Sequence, residues 1–149
     1  MNKKLFTTLT ALCAFVLSGC QTGSTTAAQV FTPDHIAQAT QDAIGLGGTA
    51  FLANNPSYLP TVQAAADAFA AIVASNPAAF TTADVQSVLS KTKTDAKQQA
   101  QLAAIIGGAL GIFERDFATN LPTLKPNYAL FVKAVANGLN GALGKPPIP

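Results

Sequence analysis

The sequence predicts an all-α fold, a small alanine-rich bundle of four to five helices, and three observations carry that prediction. Apolar residues return three and four positions apart over most of the chain, which is the period of one helix face. No stretch holds the apolar/polar alternation of a half-buried strand. Asn54-Asn55-Pro56, Asn76-Pro77 and Asn120-Leu121-Pro122 punctuate the chain, cutting it into lengths that suit helices.

The first helix starts at Thr32-Pro33-Asp34. Thr32 serves as N-cap, Pro33 takes the first helical position, and Asp34 faces the positive end of the helix dipole. Ile36, Thr40, Ala43, Ile44, Gly47, Ala50 and Phe51 form the inner face. The helix runs to about Ala53, where an asparagine in a left-handed cap and then Pro56 stop it. A second helix begins between Tyr58 and Pro60, turns Val62, Ala65, Ala66, Phe69, Ile72 and Val73 inward, and ends at Asn76-Pro77.

Thr81-Thr82-Ala83-Asp84 has the spacing of a capping box and opens a short third helix with Val85, Val88 and Leu89. Lys91-Thr92-Lys93-Thr94-Asp95 reads as a turn, with one kinked rod through it as the alternative. The fourth helix carries the clearest stripe: Leu102, Ile105, Ile106, Ala109, Leu110, Phe113 and Phe117. The fifth covers about residues 127–143, with Tyr128, Phe131, Val132, Val135 and Leu139 inward. Gly144 caps it, and Lys145-Pro146-Pro147-Ile148-Pro149 is expected to be an extended, frayed tail. Ile44-Gly45-Leu46-Gly47-Gly48 before Leu59-Pro60-Thr61 is echoed by Ile105-Ile106-Gly107-Gly108 before Leu121-Pro122-Thr123. Two helix-hairpin halves about a pseudo-twofold are one reading of that echo.

No catalytic constellation emerges. His35 is the only histidine, which excludes two-histidine zinc motifs, and it reads as a solvated first-turn residue. Ser57, Ser75, Ser87 and Ser90 have no Gly-x-Ser-x-Gly context. Asp34, Asp84, Asp95 and, less clearly, Asp67 fall where helix starts favour anions. Glu114-Arg115-Asp116 reads as a solvated patch, and no metal or cofactor is expected. Gly45, Gly47, Gly48, Gly107, Gly108 and Gly111 lie inside helices, where each costs ~1 kcal/mol relative to Ala. Close helix–helix approach is the expected compensation, with Gly107 and Gly111 on one face; membrane contact is the alternative. Residues 102–113 are apolar throughout. At 1.5 Å per residue they cover ~18 Å of a ~30 Å hydrocarbon core and cannot span it alone.

The N-terminus is of another kind. Lys3 and Lys4 precede an apolar run over residues 5–17, which closes on Leu17-Ser18-Gly19-Cys20. These residues resemble the lipobox signal of bacterial lipoproteins, a likeness confined to residues 1–20 and the tether behind them. The resemblance implies cleavage between Gly19 and Cys20, a diacylglyceryl thioether on Cys20, and commonly an N-acyl chain such as palmitate. It implies Gln21, in place of an inner-membrane aspartate, as an outer-membrane sorting residue, or the cell surface where the host has one membrane. Residues 1–19 are then a discarded signal, 20–32 an acylated tether, 33–144 the helical domain and 145–149 a tail.

Cleavage removes Lys3, Lys4 and Cys13, leaving seven basic and seven acidic side chains and Cys20 as the single cysteine. A neutral body has no charge excess for nucleic acid and no internal disulfide. The expected function is a non-enzymatic envelope module, anchored to the membrane by lipid and serving either to bind another envelope protein or as a structural element. A carrier of an apolar ligand is the alternative, with Phe51, Phe69, Phe113, Phe117 and Phe131 lining its cavity; a cell-wall-acting enzyme is a weaker one. In an up-and-down bundle, Phe80 and Leu121 lie nearest the lipid, with Tyr58 and the tail pointing away.

Overall fold

The computed structural model describes residues 31–149. Among them are five α-helices, one 3-10 turn and no strand, so the fold is all-α. In order these are α1 (Pro33–Asn54), the 3-10 turn Pro56–Tyr58, α2 (Leu59–Val73), α3 (Thr82–Ser90), α4 (Ala96–Asn120) and α5 (Tyr128–Ala142).

The helix starts follow the capping residues. Thr32 Oγ1 accepts from the His35 N–H at 3.3 Å, and Asp95 Oδ1 accepts from Lys97 and Gln98 N–H at 2.9 and 3.1 Å. At α3 the reciprocal box is complete. Asp84 N–H donates to Thr81 Oγ1, while the Thr81 hydroxyl and N–H both donate to Asp84 Oδ2 at 2.7 Å. The hydroxyl bond first, then the N–H bond, hold the Asp84 carboxyl below its ordinary pKa of 3.8. A carboxyl whose pKa is lowered on folding stabilises the fold above its unfolded pKa, and loses that contribution as pH falls through the folded value. Stability measured by urea unfolding is therefore expected to drop from pH 6 to pH 3 by less in Asp84→Asn than in wild type. Thr81→Ala is expected to cost ~1 kcal/mol at neutral pH. An equal pH-dependent drop in both proteins overturns the assignment.

Helix ends use asparagine differently from the expectation. Asn55 lies at φ −142° and ψ 70°, outside the left-handed region. Instead the side-chain amides of Asn54, Asn55 and Asn120 donate to the carbonyls of Ala50, Phe51 and Asp116, four residues back. Asn76 does take the left-handed region, at φ 46°. Lys93 takes it too, at φ 54°, which separates α3 from α4 and removes the single-rod alternative. Asp67 is not at a helix start; it lies within α2 and accepts from Gln63 at 2.8 Å.

The centre of the bundle is α5, not the strongly striped α4. Residues Phe131, Val132 and every position from Ala134 to Asn140 are buried, enclosed chiefly by α1 and α2. Around Phe131 the rings form a continuous aromatic core. Phe131 packs on Phe80 at 5.9 Å and on Phe113 at 5.3 Å, Phe80 on Phe69 at 6.2 Å, and Phe113 on Phe117 at 4.8 Å. Phe80, expected at the lipid, is thus a core plug 4% exposed. Its flanking loop leaves one helix and enters another, so the ring drops between them.

The tail is not frayed. Gly144, at φ +68°, places the Lys145 N–H on the Asn140 carbonyl and its own N–H on the Gly141 carbonyl, a Schellman turn that reverses the chain. The Ile148 N–H then donates to Asn137 Oδ1 at 2.7 Å, and its side chain packs on the core. The last residues lie back along α5 and help explain its all-round burial.

The echoed segments have different surroundings. Leu59-Pro60 opens α2, whereas Leu121-Pro122 belongs to the loop before α5. The close packing of α5 on α1 has no counterpart between α2 and α4, which meet through the Thr61 hydroxyl and Gln98 Oε1.

Candidate functional site

Cys20, the Gly19–Cys20 junction and Gln21 lie outside the described residues. What the described body offers is surface, and the placement of glycine determines much of it. Helix α1 crosses α5 closely. A Cβ on Gly138 would sit 2.6 Å from the Gln41 carbonyl oxygen and 2.9 Å from Ile44, and one on Gly48 would sit 2.9 Å from the Ala142 Cβ. Close approach therefore explains Gly48 and, unforeseen from sequence, Gly138. It does not explain α4: a Cβ at Gly108 or Gly111 would meet nothing within 4 Å, and one at Gly107 only Thr82 Cγ2 at 3.5 Å.

Gly108 and Gly111 are exposed, and Gly107 lines a groove. Helix α3 has nine residues against twenty-five in α4, so it shields only part of its neighbour. Between them lies an open cleft of about 560 Å³. Thr82, Gln86, Leu89 and Ser90 line one wall; Ala96, Gln99, Ala100, Ala103, Ala104 and Gly107 line the other. Leu89 is 1% exposed and forms part of the floor. No charged side chain, histidine or aromatic ring lines the cleft. Its small side chains and amide-bearing rim suit packing and hydrogen bonding, not proton transfer.

The residues singled out for chemistry stay apart. His35 is exposed on the first turn of α1. Ser75 and Ser90 donate to the Ile72 and Ser87 carbonyls. Among the described residues no three His, Cys, Asp or Glu side chains gather as a metal site, and the one ion pair is Arg115–Asp116 at 3.3 Å. Glu114 is not part of a solvated patch. It is half-buried and accepts from the Tyr128 hydroxyl at 3.0 Å, joining α4 to the start of α5. Burial first, then Glu114, pushes the Tyr128 pKa above 10, keeping the phenol protonated as the donor.

The phenylalanines proposed for a ligand cavity fill space themselves. Phe69, Phe113, Phe117 and Phe131 are at most 1% exposed, while Phe51 is half-buried against Tyr58 at 5.1 Å. None lines the α3–α4 cleft. No described helix is long and apolar enough to cross a membrane. Four large apolar residues are about half exposed: Phe31, Leu46, Leu59 and Leu124. Comparison with protein-family models, curated proteins and solved structures finds no match for the chain.

Proposed function

We propose that this protein is a lipid-anchored, non-enzymatic module of a bacterial envelope, whose helical body docks another envelope protein through the α3–α4 cleft. The observation that carries the reading is Leu17-Ser18-Gly19-Cys20 behind a signal-like apolar run and ahead of a domain of helices. Two or three acyl chains on Cys20 make detachment very slow, since one chain alone binds only reversibly. Gln21 directs the lipoprotein to the outer membrane, where the body faces the periplasm or, with other export, the cell surface. The cleft supports docking by its chemistry. It presents alanine and glycine backbone to an approaching helix, and Gln86, Gln99 and Ser90 to its polar groups.

The test combines labelling and capture. Radiolabelled palmitate is expected on the wild-type chain and not on Cys20→Ala. Crosslinking in intact cells is expected to give one reproducible adduct in wild type that is lost in Ala104→Glu, which puts a charge in the cleft at an exposed position. An unlabelled wild-type chain overturns the anchor. An adduct that survives Ala104→Glu, or no adduct in the acylated protein, overturns the docking surface.

A further inference from the structure

We infer that the end of the bundle carrying Phe31 and Leu124 lies in the interfacial layer of the bilayer, with those two side chains entering the lipid. The inference rests on the proposed acylation of Cys20 and adds which face of the body the membrane touches.

The first support is helix register. Gly138 faces Ile44, and four residues further along each helix Ala142 faces Gly48. Helices α1 and α5 therefore run parallel, and the same register followed back sets the first turn of α1 beside that of α5. Phe31 precedes α1 by two residues and Leu124 precedes α5 by four, so both lie at one end of the molecule. They are 46% and 50% exposed. Leu124 is held there by a turn, its N–H donating to the Leu121 carbonyl at 2.9 Å between Pro122 and Pro126.

The second support is where the chain leads. Phe31 is eleven residues from Cys20, a reach of at most ~40 Å, and it is the end of the described body from which that segment departs. Exposure alone does not mark the membrane, because Leu59 is 53% exposed at the opposite end, at the start of α2. Membership of the tethered end is what distinguishes Phe31 and Leu124.

Charge gives the contact its character. Lys125 and Asp34 are the exposed charges nearest these residues in the chain, and they are of opposite sign. Arg115 and Asp116, on the last turns of α4, pair with each other. The nearest charges thus offset one another, and the contact of Phe31 and Leu124 with lipid is insensitive to salt.

The mature acylated chain has no free thiol, because Cys13 leaves with the signal and Cys20 is modified. Phe31→Cys, Leu124→Cys and Leu59→Cys, purified in acylated form, therefore each accept one polarity-sensitive fluorophore. The proteins are reconstituted into vesicles of phosphatidylethanolamine and phosphatidylglycerol. At positions 31 and 124, quenching by a lipid-borne nitroxide is expected to exceed that at position 59 several-fold, unchanged by added salt, with iodide quenching correspondingly lower. Adding Leu124→Glu to the position-31 reporter is expected to return that label toward the position-59 values. Circular dichroism shows that each variant remains helical. Labels at 31 and 124 as aqueous as that at 59, on protein that co-floats with the vesicles, overturn this inference alone. So does shielding from iodide without lipid quenching, which marks a protein contact. Protein that fails to co-float refutes the anchor on which it rests.

Discussion

Gly138→Ala is expected to destabilise the fold by about 2 kcal/mol or more, although alanine is the better helix former. Two effects of opposite sign compete. Removing a glycine from a helix interior gains ~1 kcal/mol in propensity. The added methyl, however, would lie 2.6 Å from the Gln41 carbonyl oxygen and 2.9 Å from both Cβ and Cγ2 of Ile44. A carbonyl oxygen within a helix has no rotamer to escape into, and Ile44 is itself 1% exposed. The helices must separate, and overpacking of this kind costs typically ~1–3 kcal/mol, occasionally more. In a domain of this size that corresponds to a melting midpoint lowered by roughly 8 °C. Gly108→Ala and Gly111→Ala are the controls. With nothing within 4 Å of either added Cβ, each is expected to stabilise by up to ~1 kcal/mol. Thermal melts of the three variants read both signs, and a stabilised Gly138→Ala overturns the α1–α5 crossing.

Those three glycines also show what the sequence conveys and where it stops. Caps and breaks are local, so they are legible: Thr32, Thr81 with Asp84, Asp95 and Gly144 mark helix ends through the next few residues alone. Helical faces are legible too, because periodicity says which side is apolar, and Ile36, Val62, Phe69, Leu102 and Phe113 all lie inside. What periodicity omits is the partner. Residues 102–113 and 134–144 are both free of charge, a pattern that signals all-round burial. It holds over Ala134–Asn140 of α5 and fails in α4, where Ala104, Gly108 and Gly111 are exposed. Small side chains expose little apolar area, so their exposure costs little. A glycine under helix packing and one facing solvent therefore look alike in sequence.

The cleft was hidden for the same reason. It exists because α3 ends at Ser90 and Lys93 turns the chain before α4 begins; no residue in its walls carries a functional signature. The lipobox is the reverse case. Its meaning is entirely local, residues 17–20 behind an apolar run, and it needs no tertiary structure to be read. Tail docking lay between these extremes. Gly144 marks the helix end in the sequence, but the tail reads there as extended because the acceptor for the Ile148 N–H sits on Asn137, eleven residues away.

Phe131→Ala is expected to have the larger effect of the two substitutions on α5, about 3–5 kcal/mol. The ring is 0% exposed and lies at the junction of the aromatic core, between Phe80 from the α2–α3 loop and Phe113 from α4. Truncation loses the transfer energy of the ring and leaves a cavity whose walls belong to separate segments. Aromatic pairs add ~0.5–1.5 kcal/mol beyond burial, and Phe131 takes part in two of them. Phe51→Ala gives the comparison within the same fold. Phe51 is half-buried, its one aromatic partner among the described residues is Tyr58, and that pair sits at the far end of α1. Its removal is expected to cost distinctly less, because part of the ring is already in water. Against a total stability of roughly 5–15 kcal/mol for such a domain, the Phe131 loss brings the chain close to unfolding at physiological temperature. Urea unfolding read by circular dichroism orders the two variants. A cost at Phe131 no greater than at Phe51 contradicts a bundle whose interior is organised around the start of its last helix.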